Sequence, residues 1–135
     1  MSATERATFG DFPAKDVFRA LMKGRKIFSD SQFRVVLRRE EDPEPYWCSI
    51  SLEMNVVATG YTQREAIENL IALMAFHVAD YIDNGIEKDI YVPAPIEVWQ
   101  SFVDAPRVPK NRLPNLPIGG MYIQAKSYGS SFATA

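Results

Sequence analysis

The chain has 135 residues, 47% hydrophobic and 12% aromatic, which suits one globular domain and excludes a disordered one. No stretch approaches the ~18 consecutive apolar residues of a membrane span, and MSATERATFGDFP lacks the apolar core of a secretory signal. The net charge of −2 hides an uneven split: +1 over residues 1–44, −7 over 45–104 and +4 over 105–135. An acidic middle repels phosphate and favours a cationic partner, unless it is simply a solvated helix face.

The lone Cys48 has no internal disulfide partner, which points to a reducing, cytoplasmic setting. In chain order, the first ten residues read as loose. DFPAKDVFRALMKG then reads as a short helix, with Pro13 in its first turn, an apolar stripe of Val17, Phe18 and Leu21, and Gly24 as a left-handed stop. QFRVVLRREED alternates as a strand, with Phe33, Val35 and Leu37 on the buried side. The prolines of EEDPEP predict a turn. PYWCSISLEM alternates again, with Tyr46, Cys48, Ile50 and Leu52 expected on the core side and Trp47, Ser49 and Ser51 on the other. MNVVATG predicts a third strand ending at Gly60.

A long helix follows. Thr62 and Glu65 have the spacing of a capping box, and Ile67, Leu70, Ile71, Met74, Val78, Tyr81 and Ile82 recur at helical spacing. Asn84-Gly85 predicts the C-cap. About 20 residues give roughly 30 Å of helix, enough to cross a small sheet. IYV before Pro93 has strand character. Residues 96–103 fit either a fourth strand or a helix starting at Pro95. From Ala105 on, PRVPKNRLPNLPIGG reads as an extended arm, with MYIQA either an edge strand or unpaired and SYGSSFATA disordered.

The expected fold class is α+β: an antiparallel three- to four-stranded sheet with one long helix on one face, in the order β-β-β-α-β, over residues 32–104. Residues 1–31 form an N-terminal extension with a short helix, and residues 105–135 form a Pro/Gly-rich extended arm.

The stretch PYWCSISLEMNVVATGYTQREAIENLIALMAFHVADYI resembles the HicB-like antitoxins. The family pattern G-x-T-x-x-E-A-x-x-N falls on Gly60, Thr62, Glu65, Ala66 and Asn69, and Pro93-Ala94-Pro95 resembles the proline step before the family's last strand. The resemblance covers roughly residues 32–103. It implies a partial RNase H-like fold, a homodimer, and neutralisation of a small basic mRNA-cleaving toxin, although other members are orphan domains. The chain departs from the family in three ways. Leu52-Glu53-Met54-Asn55 replaces the usual Asp-Leu-Pro-Gly turn. The stretch after Ala105 does not read as a DNA-binding module. The helix at 13–23 is an addition.

Chemistry is not expected. Two-metal hydrolysis needs converging carboxylates, and the first strand offers Arg34, Arg38 and Arg39 instead, which leaves Glu53 alone. His77 has no metal-ligand neighbour at a suitable spacing. Cys48 alternates with core residues, and Gly119-Gly120 follows no convincing strand. The chain is therefore read as a non-enzyme with no cofactor and no metal. Two surfaces remain. One is basic: Arg34, Arg38 and Arg39, with Lys23, Arg25 and Lys26 near in sequence, and Arg107, Lys110 and Arg112 on the arm with Tyr122 and Tyr128 beyond. It suits nucleic acid, or else serves as edge-strand protection and a dock for the acidic region. The other is an interface of Trp47 and Trp99, expected outside the core, with the acidic residues Glu68, Asp80 and Asp83. Together they suggest a homodimer in which the arm embraces the partner subunit, and an acidic body that binds a small basic protein.

Overall fold

The computed structural model describes residues 7–29 and 31–128. The described residues open with a short hairpin, β1 (Thr8–Phe9) within the ten residues expected to be loose and β2 (Phe12–Pro13) where the helix was expected to start. Helix α1 (Ala14–Lys23) follows with Pro13 at its N-cap, and it buries Val17 and Leu21 as the apolar stripe predicts, with Phe18 packed partly buried against the core. Gly24 closes it at φ −96°, so the stop is not left-handed, and α2 (Arg25–Ser29) starts at the next residue.

The main sheet has four strands: β3 (Gln32–Glu40), β4 (Tyr46–Ser51), β5 (Val57–Gly60) and β6 (Tyr122–Tyr128), in the order β5-β4-β3-β6. The first three form the predicted antiparallel meander, with Arg39 opposite Trp47 and Ser49 opposite Ala58. The fourth corrects two expectations. It lies parallel to β3, Gln32 beside Tyr122 and Arg38 beside Tyr128, so the sheet is mixed. It also comes from the stretch expected to form an arm, where MYIQA takes the edge-strand alternative; Ser127 and Tyr128, read as disordered, belong to the strand, and the rest of SYGSSFATA lies outside the described residues. The stretch after Ala105 returns to its own body and buries Val108, Ile118, Met121 and Ala125 in the main core.

Helix α3 (Gln63–Asp83) is the long helix of the sequence. Thr62 Oγ1 accepts the Glu65 amide at 3.0 Å, while the Glu65 carboxylate accepts the Tyr61 amide at 3.0 Å, one residue before the cap. At the far end Gly85 takes φ +70°, its N–H donates to the Ile82 carbonyl, and the Ile86 N–H donates to that of Tyr81. These two bonds define a Schellman motif, which needs a left-handed residue at the glycine position.

Residues 96–103 resolve to helix: α4 (Ile96–Asp104) has Pro95 at its N-cap. IYV is not a strand, because a 3₁₀ turn at Glu87–Asp89 leads into a buried Ile90 and an irregular run. The Ala94 amide pins that run to the sheet by donating to the Leu52 carbonyl at 2.8 Å. The sheet is thus covered on both sides. On the α3 side lie Phe33, Val35, Leu37 and Trp47, and on the α4 side lie Val36, Cys48, Ile50 and Leu52 with Phe102, Val98 and Trp99.

The orientation of β4 reverses the expectation. Trp47 and Ser49 face α3, whereas Cys48 and Ile50 face α4. Small side chains let the helix come close. Ser49 Oγ donates to the Ala66 carbonyl at 2.8 Å, and a Cβ placed on Gly60 would lie 2.5 Å from the Ala66 amide nitrogen.

Candidate interaction surface

The motif residues Gly60, Thr62, Glu65, Ala66 and Asn69 all sit where β5 turns into α3. Gly60 and Ala66 set the close approach, and Thr62 and Glu65 cap the helix. Asn69, 4% exposed, ties three segments together. Its Oδ1 accepts the Asp11 amide at 2.7 Å, and its Nδ2 donates to the Asp11 carboxylate and to the Thr59 carbonyl, both at 2.8 Å. Both amide hydrogens and the carbonyl oxygen are thus engaged within the fold.

The predicted interface residues separate. Trp47 is only 9% exposed and belongs to the core beneath α3, with the Arg39 guanidinium 5.4 Å above its ring. It is not an outward aromatic, because the other face of β4 is the one α4 covers. Glu68 is 7% exposed, which removes it from the acidic surface. Trp99 does lie on the α4 side. It is half-buried against Cys48, Ile50 and Val36, with Arg34 5.8 Å from its ring. Asp80 and Asp83 are exposed as expected.

Those two aspartates end α3, whose last turn holds no basic residue. The C-terminal end of a helix carries partial negative charge, so acidic side chains there cost stability. Lys23 from α1 relieves part of the cost by pairing with Asp83, and Asp80 accepts a hydrogen bond from the Asn84 side chain. The next turn adds exposed Glu87 and Asp89 against the single Lys88. Along the same stretch Ile86, Tyr91 and Val92 are exposed, and α4 exposes Ile96 and Val103. The exposed apolar groups Ile86, Tyr91 and Val92, close in sequence to this partly relieved acidic charge, make the end of α3 a candidate interaction surface.

The basic surface does not assemble as the sequence suggested. Arg34 pairs with Glu53 at 2.8 Å, Arg38 with Glu40 and Arg39 with Glu41. Strand alternation also sends Arg34 and Arg38 to the α4 side, while Arg39 lies over Trp47 on the α3 side. The chain's own carboxylates therefore meet each arginine, and the three do not share a face. Glu53 is more than a strand-end carboxylate: it accepts both the Arg34 amide and its guanidinium. Arg107, Lys110 and Arg112 remain exposed on the returning segment. Among the described residues, the stretch after Ala105 is not an arm free to embrace a second subunit, because Val108, Ile118, Met121 and Ala125 are buried in the same core.

The other candidates have structural explanations. His77 Nε2 lies 3.0 Å from the Ile90 carbonyl oxygen, and its ring packs on Tyr81. Cys48 is buried, and burial pushes its thiol pKa upward, away from a nucleophilic thiolate. A concave region of about 400 Å³ gathers Asp11, Glu44 and Glu65 with Tyr46 and Tyr61. Its carboxylates are all engaged, with Asn69, with the Tyr61 hydroxyl and with the Tyr61 amide. The bond to Glu44 raises the Tyr61 phenol above its ordinary value. Among the described residues, no helix is long and apolar enough to cross a membrane.

Comparison of the chain with protein-family models, with curated proteins and with solved structures finds no match.

Proposed function

We propose that this protein is a non-catalytic interaction domain that binds a small basic protein, in the manner of the HicB-like antitoxins it resembles. The observation that carries the reading is the acidic end of α3. Asp80 and Asp83 are exposed in the last turn of α3, where the helix dipole opposes them, and exposed Glu87 and Asp89 follow in the next turn, near in sequence to the exposed Ile86, Tyr91 and Val92. A surface that costs stability where it stands is more readily explained by what it binds. Two further points support the resemblance. The β-β-β-α order of residues 32–83 is the expected one, and Gly60, Thr62, Glu65 and Asn69 each act at the strand-to-helix junction. In the antitoxin version the basic partner is an mRNA-cleaving toxin.

The test is co-expression of the tagged chain with a small basic protein encoded beside its gene, followed by affinity capture. Co-purification is expected, and it should be lost when Asp80 and Asp83 are both changed to lysine. If no such reading frame lies beside the gene, or capture returns the chain alone, the antitoxin version fails.

A further inference from the structure

β6 is the outer strand of the sheet, and only part of its outer edge is occupied. The Val108 amide donates to the Ala125 carbonyl at 2.8 Å, and the Ser127 amide donates to the Pro106 carbonyl at 2.9 Å, with Arg107 bridged to Lys126. Residues alternate along a strand, so Ile123 turns its N–H and C=O to the same outer side as Ala125, while Tyr122 donates inward to the Ser31 carbonyl. Beyond Val108 the covering segment veers into a 3₁₀ turn at Lys110–Arg112. No backbone hydrogen bond to the outer side of Ile123 is found among the described residues.

The gap between the two segments is a groove of about 470 Å³. Its walls include Gln32, Arg107, Lys110, Leu113, Tyr122 and Ile123, and they hold no carboxylate among the described residues. Neither Arg107 nor Lys110 forms an ion pair among the described residues, unlike Arg34, Arg38 and Arg39. Tyr122 is 66% exposed at the mouth. An open strand edge, an apolar wall and two unpaired cations are the elements by which sheets accept an added strand of opposite charge.

We propose that this groove docks an extended acidic peptide. The peptide pairs its backbone with Ile123 and sets its carboxylates against Arg107 and Lys110. The site is separate from the acidic end of α3 and does not depend on the reading given to that surface.

A labelled synthetic peptide alternating aspartate with valine, titrated against the full chain by fluorescence anisotropy, tests the proposal. Saturable binding that weakens with added salt is expected. Lys110→Glu and Arg107→Glu should each weaken it about tenfold, the effect of losing one charge-assisted contact. Ile123→Pro removes the outward N–H while leaving the inward ladder to β3, so it should abolish binding. The same peptide N-methylated on every residue, so that neither edge can pair, should fail against the unaltered chain, which separates strand addition from any folding defect of that variant. Equal binding of the N-methylated peptide, or no binding at low salt, overturns the proposal. So does a single-stranded oligonucleotide that binds more tightly with the same dependence on Arg107 and Lys110.

Discussion

Asn69 shows how one side chain can hold three segments. Its amide group bonds to Asp11 in the turn between β1 and β2 and to Thr59 in β5, from a position in the second turn of α3. Asn69→Ala removes all three bonds and leaves the Thr59 carbonyl and Asp11 amide without their partner. The expected loss is about 1–3 kcal/mol of unfolding free energy in a urea titration, with the m-value unchanged. Cys48 carries a pH signature. Burial disfavours the thiolate, so its folded pKa lies above the ordinary value of 9.0 and the folded state holds its proton longer. The stabilisation this gives is fully present below the unfolded pKa and is lost as pH rises through the folded one. Alkylation at pH 8 should be far slower in the native chain than in urea. Equal rates would show that the α4 layer does not cover the thiol.

At the level of elements, α3 was readable because its signals are local. The cap, the apolar period and the Asn-Gly stop all lie within the helix or next to it. The faces of β4 were not readable. Alternation separates two faces but does not say which one meets the main helix, and here α4 gives the second face a cover of its own. The polar-looking side with Ser49 and Ser51 therefore turned to α3, because closeness to Ala66 favours small residues. The choice at 96–103 depended on what α4 packs against, which no short window contains. β6 was open for a related reason: MYIQA allowed an edge strand or an unpaired segment, and the choice, like the parallel partner, comes from pairing with β3. Of the surface, Asp80 and Asp83 were legible as exposed acids. Trp47 and Glu68 were not, since their burial depends on the sheet and helix orientation. The acidic helix end makes its own prediction. Asp80→Lys should raise stability by about 0.3–1 kcal/mol through the helix dipole, read as a higher urea midpoint, while weakening capture of a basic partner. A stabilised variant with unchanged capture would remove Asp80 from the interface.

For the whole molecule, the boundary that matters is not the one the resemblance draws near residue 103. Val108, Ile118, Met121 and Ala125 are buried among residues of α1, α3 and β3, so the segment after α4 is part of the core. Burying a large apolar side chain contributes about 1.5–3 kcal/mol, against a typical net stability of about 5–15 kcal/mol. A chain ending at Asp104 is expected to lose its cooperative urea transition, while one ending at Tyr128 should keep it. A cooperative transition in the shorter chain would show that residues 32–104 stand alone.

The parallel pairing of β3 with β6 also governs the order in which the protein is made. β3 meets β4 across a short turn, but its other edge waits for a strand that begins at Tyr122. On the ribosome, the meander and α3 emerge with that edge bare, and it stays bare until nearly all of the described chain has been synthesised. Long-range closure of this kind is slow, and a bare hydrophobic edge is what other nascent chains pair with. Charged side chains on a bare strand disfavour pairing with other chains, and β3 carries Arg34, Arg38 and Arg39 through the interval before its own last strand arrives.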